Sequence, residues 1–386
     1  MAEIRLIKDT LAGNKEKPQH RPVKLFLCGD AMTGRGIDQI LPHPSEPTLY
    51  EPYITSACSY MEMAERVSGP IARPVDFPYV WGDALAEMAE QAPDLRVVNL
   101  ETSITKSESP LPKGINYRMH PANVGCLMAA GIDCCVLANN HVLDWGVEGL
   151  METLDTLSGV GIATAGAGRT ADEAARPAIL EIAQGCRVLV FGLGSPTSGV
   201  PAGWAASKSR PGVNLVTHLS DRSASRIASE MREYRRDGDI VVVSVHWGEN
   251  WGYEIPQAQR DFAHQIIDAG AADLVHGHSS HHVKGMEVYN GHLILYGCGD
   301  FVTDYEGIGG YEAYRPDIVL AYFPTLNAAS GCLECLEMVP FRSRGLRLEG
   351  VDQEDTATVL RILNREGEGL GTRLAPTARG SIELRQ

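Results

Sequence analysis

Four of the chain's 12 histidines lie within one short segment, HGHSSHH, from His276 to His282. Imidazole side chains bind metal ions and transfer protons near neutral pH, so a cluster of this density indicates one of these two kinds of chemistry. His276 and His278 end the apolar run ADLVHGH, which predicts a strand that leads into this cluster.

Other residues able to bind a metal ion or move a proton follow apolar, strand-like runs. They are Asp30 after LFLCG, Glu101 after RVVNL, Asn139-Asn140-His141 after CCVLA, His246 after VVVSV and Asp300 after LILYGCG. Ligands bind at the carboxyl ends of strands in α/β sheets, so we expect these side chains to converge on one cleft. Oxygen and imidazole donors together suit a divalent cation. The sequence predicts a divalent metal site, does not distinguish calcium, manganese or zinc, and indicates no organic cofactor.

The segments that must position these residues alternate between strand-like and helical patterns from residue 23 to about residue 300. Strand-like runs include VKLFLCGD, LRVVNLET, IDCCVLANNH, DIVVVSVHWG, ADLVHGHS and HLILYGCGDF, and helical stretches such as SDRSASRIASEMREYRRDG lie between them. This alternation predicts a layered α/β fold. Residues 311–350 are strand-rich, and a helix over about 352–368 should close the domain. We predict an N-terminal extension, residues 1–22, followed by a single domain, residues 23–386.

The composition narrows the class of protein. A formal charge of −15 repels nucleic acid and anionic membrane surfaces, and no basic patch in the sequence offsets it. The first residues, MAEIRLIKDTLAGNKEKPQHRP, lack the apolar run of ~7–15 residues of a signal peptide. No window approaches the ~18 apolar residues of a membrane span. We expect a cytoplasmic protein that binds neither nucleic acid nor membranes.

Six segments resemble, in order, the sequence blocks of the CapA family of poly-gamma-glutamate capsule proteins. They are CGDAMTGR (28–35), NLETSIT (99–105), LANNHVLDWG (137–146), VHWGENW (245–251), GHSSHHVKGMEVY (277–289) and ILYGCGDFV (294–302). An ordered set of blocks is far more specific than any one of them. The resemblance implies a fold similar to that of calcineurin-like metallophosphoesterases, which is a layered αββα sandwich with mixed sheets.

The resemblance also implies a set of metal ligands. Asp30 is expected to bind a metal ion, and Glu101 occupies the position of the bridging carboxylate in the wider superfamily. Asn140 and His246 would bind on the side of the second metal. His281 keeps the last ligand position of the family.

Two positions depart from the family pattern. Met32 stands where calcineurin-type enzymes have the histidine of Asp-x-His, and Ser279 stands where CapA relatives usually have the first histidine of His-Pro-His. Each change removes a ligand, so we expect one metal ion rather than two. The resemblance further makes His141 the acid/base histidine beside the metal, Asp144 its orienting partner, and Arg35 a candidate for holding an anionic group.

The segments from HWGENWGY to YGCGDFVTDYEGIGG resemble a cytosolic branch of the family, in which some members epimerise ribosomally made peptides such as lasso peptides. Inverting a Cα centre needs a base on one face of the carbon and an acid on the other, and a histidine beside a carboxylate can serve as either. We predict two facing His/Asp pairs, with His141 and Asp144 in one. The other contains His281 or His278, with Asp300 as a candidate partner. The expected partner is a peptide substrate, with a precursor-peptide recognition protein as a further candidate.

Two other functions stay open beside the metal-dependent peptide epimerase. One is metal-dependent hydrolysis of a phosphoester or an amide, of the CapA type related to poly-gamma-glutamate. The other is peptide binding without catalysis. Trp247, Trp251 and Tyr253 follow His246 closely, so they are candidates for contacting a substrate in any of the three cases.

Overall fold

The computed structural model describes residues 21–182 and 185–385. The predicted N-terminal extension, residues 1–22, lies outside the described residues except for its last two. The strands are β1 (Val23–Ala31), β2 (Leu95–Leu100), β3 (Ser103–Ile104), β4 (Arg118–Met119), β5 (Cys134–Val136), β6 (Ala163–Ala165), β7 (Ala167–Gly168), β8 (Ala178–Glu181), β9 (Arg187–Gly194), β10 (Gly212–Val213), β11 (Ile240–His246), β12 (Leu274–His278), β13 (Met286–Tyr289), β14 (His292–Leu295), β15 (Asp300–Val302), β16 (Ile318–Leu326), β17 (Leu333–Arg344), β18 (Arg347–Gly350), β19 (Arg373–Pro376) and β20 (Ile382–Arg385).

The α-helices are α1 (Gly36–Ile40), α2 (Cys58–Ser68), α3 (Ala84–Gln91), α4 (Gly125–Ala129), α5 (Gly146–Gly159), α6 (Ala171–Ala175), α7 (Asp221–Arg232), α8 (Gln257–Asp268) and α9 (Gln353–Gly367). Short 3-10 turns lie at Tyr79–Trp81, Pro121–Val124, Pro196–Ser198, Ala202–Trp204, Glu312–Tyr314 and Glu368–Leu370. In the part of the chain that the structure describes, no helix combines the length and the apolar character that crossing a bilayer requires.

The first sheet combines a parallel half with an antiparallel half. Its strand order is β19-β20-β17-β16-β1-β2-β5-β6, with β15 paired to β1 and β18 paired to β17. Strands β15, β1, β2, β5 and β6 run parallel, whereas β16 to β20 pair in antiparallel fashion. The strand-rich segment predicted at 311–350 therefore extends the same sheet that carries Asp30.

The second sheet has the strand order β13-β14-β12-β11-β9-β8. Its four central strands run parallel, and β13 and β8 are antiparallel at the two edges. His246 on β11 and His278 on β12 are register partners at the carboxyl end of this sheet. The strand pairing alone thus places these two histidines side by side.

Alternation of side chains along the strands explains why the sheets form layers. On β1, Leu25 and Leu27 enter the core between the two sheets, whereas Phe26 and Cys28 face the helices that cover the first sheet. On β11, Val241 and Val243 belong to the separate core that covers the outer face of the second sheet, together with residues of α7 and α8. The layers run helix, sheet, sheet, helix. The predicted αββα sandwich with mixed sheets is confirmed.

The apolar pattern of the segment HLILYGCGDF predicts one strand, but the structure shows two. The segment forms β14 in the second sheet and β15 in the first, so the chain crosses between the sheets. The crossing needs glycine, because Gly299 has φ +78° and a Cβ on Gly29 would lie 1.6 Å from the carbonyl oxygen of Gly299. The crossing makes Asp300 the register partner of Asp30.

The predicted closing helix is α9, which begins after the N-cap residue Asp352. The carboxylate of Asp352 accepts a hydrogen bond from the backbone N–H of Asp355 at 2.9 Å, which satisfies one free donor of the first turn. Val359, Ile362 and Leu363 on one face of α9 join the core between the sheets. The helix therefore covers one end of the sandwich.

Candidate metal and acid/base site

Strand register gathers the predicted ligands at one edge of the sandwich. Asp30 on β1 is aligned with Asn99 on β2 and with Asp300 on β15. The two sheets pack with their carboxyl ends together, so Oδ1 of Asp30 lies 3.7 Å from Nδ1 of His278 on the second sheet. The backbone N–H of Ser279 also donates to Oδ2 of Asp30 at 3.2 Å. Asp30 thus belongs to the first sheet and contacts residues at the end of the second.

Two groups of side chains have the composition and spacing of metal sites, and both contain Asp30. One group is Asp30, His246 and His278, and the other is Asp30, His281 and Asp300; in each, the donor atoms lie within 4.8 Å of one another. From the sequence, His281 and His278 are both acid/base candidates, and Asp300 is a candidate partner for either. The structure places His278 in one of these candidate groups, and His281 and Asp300 in the other.

Glu101 and Asn140 lie beside the first of these groups. Oε1 of Glu101 is 3.8 Å from Nε2 of His246, and Oδ1 of Asn140 is 3.1 Å from the same nitrogen. On its other side, Nδ1 of His246 is 2.9 Å from Nδ1 of His278. The structure therefore brings together the ligands that the resemblance implied on the side of the second metal.

Unpartnered oxygens show that these residues fit a cation. Oε2 of Glu101 and Oδ2 of Asp300 are buried and have no hydrogen-bond partner among the described residues. Burial and the nearby Asp300 raise the pKa of Asp30 to about 7, and burial and the nearby Asp30 raise the pKa of Glu101. A divalent cation held among these residues would offset the repulsion between the carboxylates. The donor set, carboxylate with imidazole and amide oxygen, suits such an ion.

His141 and Asp144 form a hydrogen-bonded pair, which we call the His141 pair. Nδ1 of His141 is 2.6 Å from Oδ2 of Asp144, which also accepts the backbone N–H of Tyr117 at 2.6 Å. Nζ of Lys113 donates to the other carboxylate oxygen at 2.7 Å. Burial lowers the pKa of His141 to about 4, although Asp144 opposes this shift. A neutral ring that donates from Nδ1 leaves Nε2 free as a base, and Nε2 lies 3.6 Å from Oε1 of Glu101.

His281 and Asp300 form the second such pair, the His281 pair. Nδ1 of His281 is 2.8 Å from Oδ1 of Asp300, and Nε2 is 3.0 Å from Nδ2 of Asn250. Nε2 accepts from this amide when the ring is neutral, and the amide must turn its oxygen toward Nε2 when the ring is protonated. Burial on its own would lower the pKa of His281, but the carboxylates of Asp300 and Asp30 outweigh it and raise this pKa above the usual value. The two histidines are thus in opposite electrostatic surroundings, with His281 favoured as the protonated one.

Two tyrosines connect the histidines. The ring of His141 packs edge-on against Tyr117 at 4.3 Å, and His281 packs in the same way against Tyr305 at 5.2 Å. The hydroxyl oxygens of Tyr117 and Tyr305 are 2.6 Å apart. The four rings form a continuous series of contacts with one histidine at each end. We call this series the aromatic row.

Arg35, the candidate for holding an anionic group, is already paired inside the protein. It is 3% exposed, and its guanidinium makes ion pairs with Asp304 at 2.6 Å and with Glu51 at 2.9 Å. The guanidinium also lies over the rings of Tyr60 and Tyr117, 3.7 and 4.5 Å from their centroids. With two buried carboxylates balancing its charge, Arg35 supports the aromatic row and does not offer a free cation to a ligand.

The three aromatic residues after His246 separate into different environments. Trp247 follows His246 directly, so it points to the opposite face of the sheet, where it is 2% exposed and packs against Phe262 and Tyr296. It does not reach the site. Trp251 does, because its ring lies 5.5 Å from that of His281 and stacks on the exposed Tyr311.

Tyr253 lies near Trp251, with its ring 4.7 Å from that of His282 and 5.3 Å from that of Tyr314. Together Trp251, Tyr253, Tyr311 and Tyr314 form an aromatic wall beside the His281 pair. Two of its four members, Trp251 and Tyr253, were predicted to contact a substrate.

Sequence reasoning missed Lys113, Tyr117 and Asn250 as members of the site. Lys113 lies in the segment SESPLPKG, whose composition predicts a long loop of the kind that often borders a substrate site. Tyr117 follows the same loop and carried no separate signal. Asn250 lies inside the block VHWGENW, where its position close after His246 was the available clue.

The fold and the site define an α/β sandwich protein with a candidate divalent-metal centre and two His/Asp pairs. The chain belongs to the bacterial capsule synthesis protein family PGA_cap, whose family model matches residues 24–305. That match spans every candidate ligand from Asp30 to Asp300.

Similar proteins carry names linked to polyglutamine, PGA and capsule synthesis. A Mycobacterium tuberculosis protein described as "Probable polyglutamine synthesis accessory protein" is 44% identical over 376 residues, covering 97% of each chain. The PGA biosynthesis protein CapA of Bacillus subtilis is 31% identical over 300 residues, covering 76% of this chain and 68% of that protein. A solved phosphatase structure from Mycoplasma pneumoniae covers 86% of this chain and 98% of its own at 11% identity, but its TM-score of 0.41 is too low to carry an argument.

Proposed function

We propose that this protein is a metal-dependent peptide epimerase that inverts one Cα centre of a peptide. The observation that carries the proposal is the presence of two His/Asp pairs, one at each end of the aromatic row. Inversion needs a base on one face of the carbon and an acid on the other, and a single histidine cannot supply both. A site with a neutral His141 and a protonated His281 meets this requirement.

Each residue has a separate task in this proposal. Asp144 holds the Nδ1 proton of His141, so Nε2 removes the Cα proton. Asp300 holds Nδ1 of His281, so that Nε2 delivers a proton to the opposite face. Asp30, His246 and His278, with Glu101 and Asn140 beside them, hold one divalent cation. When bound, the cation supplies positive charge that stabilises negative charge developing on the substrate carbonyl oxygen.

Two observations support a peptide as the substrate. The aromatic wall beside the His281 pair offers flat apolar surface to an extended chain. The names of the relatives, polyglutamine synthesis accessory protein and PGA biosynthesis protein, favour chains that contain glutamine or glutamate. Ribosomally made linear peptides of the lasso-precursor type are the second substrate class in the proposal, with a precursor-recognition protein as a candidate partner.

The test is isotope exchange in D2O on a panel of such peptides. An epimerase adds one deuterium at one Cα, produces the D-residue, and leaves the peptide length unchanged. His141→Ala and His281→Ala should each reduce the rate of inversion by ~10²–10⁴-fold, which is the usual contribution of a general acid or base. The exposed His43 supplies a control, since His43→Ala should leave the rate unchanged. Inversion without solvent exchange would exclude the two-base mechanism.

A metal-dependent hydrolase is the second candidate, and a specific observation favours it. The two donor groups share Asp30, and two adjacent ions sharing a carboxylate are what a two-metal hydrolytic site needs. In that case His281 and Asp300 bind the second ion and cannot serve as an acid/base pair. Two ions per chain, together with cleavage of an aryl phosphate or of an amide bond, would favour the hydrolase. One ion per chain together with deuterium exchange would favour the epimerase. Tight peptide binding without hydrolysis or deuterium exchange would favour a non-catalytic peptide-binding protein.

A further inference from the structure

A cavity of about 580 Å³ adjoins the candidate site on the side of the second sheet. Its lining includes Ser195, Thr197, Gly248, Trp251, Gln259 and Lys284. Trp251 connects the cavity to the site, because its ring lies 5.5 Å from that of His281. Ser195 provides a second connection, since its backbone N–H donates to the carbonyl oxygen of His246 at 2.9 Å. A group bound here would be held next to the metal ligands and to the His281 pair.

Lys284 is a buried cation in the lining of this cavity. It is 6% exposed, and its Nζ donates a hydrogen bond to the carbonyl oxygen of Glu254 at 3.1 Å. Within the described ranges, 21–182 and 185–385, Lys284 forms no ion pair. An ammonium group has three donors, and the one hydrogen bond leaves two of them free. Burial lowers the pKa of Lys284, and the carboxylates of Glu249, Glu254 and Glu366 oppose this shift without forming an ion pair with it. The cavity therefore offers the two free hydrogen-bond donors of an ammonium group.

Gln259 adds a second polar group, on the first turn of α8. The residue is 2% exposed, and its side-chain amide makes no hydrogen bond to any of the residues that the structure describes. Pro256 precedes the helix and provides no side-chain cap, so the first backbone N–H groups of α8 lack that partner. The amino end of a helix carries partial positive charge. Gln259, Lys284 and the start of α8 thus converge on one cavity as donors.

The charge at the rim of the cavity restricts what it can bind. Glu249 and Glu254 are exposed and line the same cavity as Lys284. Two carboxylates at the rim repel a dianion such as phosphate more strongly than a group with a single negative charge. A carboxylate carries one negative charge and accepts hydrogen bonds at two oxygens, which matches an ammonium and an amide as partners.

We propose that this cavity binds a carboxylate group of the peptide substrate, with the ammonium of Lys284, the amide of Gln259 and the amino end of α8 as its donors. The identity of the ligand as a peptide rests on the proposed function. The carboxylate has two sources in a peptide, the C-terminal α-carboxylate and the γ-carboxylate of a glutamate residue. Either one would anchor the chain so that a nearby Cα lies between the two His/Asp pairs.

The test measures binding of three peptides to the full, metal-loaded chain by isothermal titration calorimetry. Ac-Ala-Gln-Ala carries only a C-terminal carboxylate, Ac-Ala-Glu-Ala-NH2 carries only a γ-carboxylate, and Ac-Ala-Gln-Ala-NH2 carries neither. We expect one of the two charged peptides to bind at least about tenfold more tightly than the neutral one, since hydrogen bonds to a charged group are stronger than those between neutral groups. The charged peptide that binds more tightly identifies the source of the carboxylate.

Lys284→Met should remove the preference for the charged peptide. The metal ion can also bind a carboxylate, so the dependence on Lys284 is the part of the signal that belongs to the cavity. Lys208→Met, at an exposed lysine outside the cavity, is the matched control and should keep the preference. Gln259→Glu places a negative charge in the cavity and should weaken charged-peptide binding by at least about tenfold, which keeps the test decisive if Lys284→Met fails to fold.

Equal binding of all three peptides by the wild-type protein would overturn the inference, and so would an unchanged preference in both cavity variants. These outcomes are separable from failure of the proposed function, because binding does not require turnover. A Lys284-dependent preference without deuterium exchange on any peptide supports the carboxylate cavity and refutes the epimerase. Deuterium exchange with the same KM in the wild-type and Lys284→Met proteins supports the epimerase and refutes the cavity's role.

Discussion

Replacing Asp144 by asparagine changes the charge behind His141 while keeping the shape of the side chain. Asp144 is fully buried and accepts three hydrogen bonds, from Nδ1 of His141, from the backbone N–H of Tyr117 and from Nζ of Lys113. An asparagine side chain has one oxygen and one NH2 group. In either orientation, the NH2 group faces a group that also donates, either Lys113 or His141. The variant therefore cannot hold His141 as the aspartate does.

The size of the effect follows from the bond that is lost. A hydrogen bond to a charged group contributes ~1.5–3 kcal/mol, and this bond strengthens when His141 takes up a proton. At ~1.36 kcal/mol for each factor of ten, Asp144→Asn should lower kcat about 10- to 150-fold. KM should change little, because Asp144 contacts His141 and not the substrate. Metal content should not change, because Asp144 belongs to neither donor group.

The assay is the rate of deuterium entry at the substrate Cα, measured beside the metal content of the same preparation. Asp155→Asn is the matched control, since Asp155 is exposed and pairs with Arg169 at the protein surface. A fall in kcat of less than ~3-fold with full metal content would refute the role of Asp144 in orienting His141. Loss of the metal in the variant would also refute it, because the carboxylate would then support the metal centre itself.

Three further predictions test other parts of the structure. Asp30→Ala should abolish metal binding, measured by elemental analysis, because both donor groups contain Asp30. Asp172→Ala, at an exposed residue, is the control and should retain the metal. Full retention of the metal in the Asp30 variant would exclude both groups. Trp247→Ala should lower the free energy of unfolding, measured in urea, by ~3–5 kcal/mol, since this side chain is buried in the core. Trp251→Ala should lower the same free energy by less than ~1.5 kcal/mol but should weaken peptide binding, because Trp251 lies beside His281. The opposite order of stabilities would show that the two tryptophans are misassigned. Arg35→Met leaves two buried carboxylates without their partner and should cost ~3–5 kcal/mol in the same urea titration, so a loss below ~1 kcal/mol would mean that the ion pairs add little.

The convergence of the candidate metal ligands within each sheet could be predicted because it depends on a local rule. Asp30, Glu101 and His246 each follow an apolar run, and the carboxyl ends of parallel strands share one edge of a sheet. The layered order of helices and sheets follows from the same alternation of strand-like and helical segments. The burial of Trp247 could also have been predicted, because a residue that directly follows a site residue at a strand end points to the other face of the sheet.

The contacts between residues within the site were harder to predict from the sequence, because they join segments that are distant in the chain. The ion pair between Arg35 and Asp304 joins residues 269 positions apart, and nothing in either local sequence distinguishes a paired arginine from a free one. The contact between the hydroxyls of Tyr117 and Tyr305 is of the same kind. Lys284 carries no local signal either, since only the packing around it reveals a buried ammonium that forms no ion pair with any described residue.

The sequence by itself determined the layered fold, the chemical types of the ligands and the edge of the sheets where they gather, because these depend on periodicity and on strand ends. The sequence placed Asp300 among the candidates, but only the tertiary structure showed that it lies beside Asp30 and that it pairs with His281. The segment HLILYGCGDF has the pattern of one strand, yet the close contact of Gly29 with Gly299 lets it cross from the second sheet to the first. The approach of two backbones is a property of packing, and no periodicity within one segment records it.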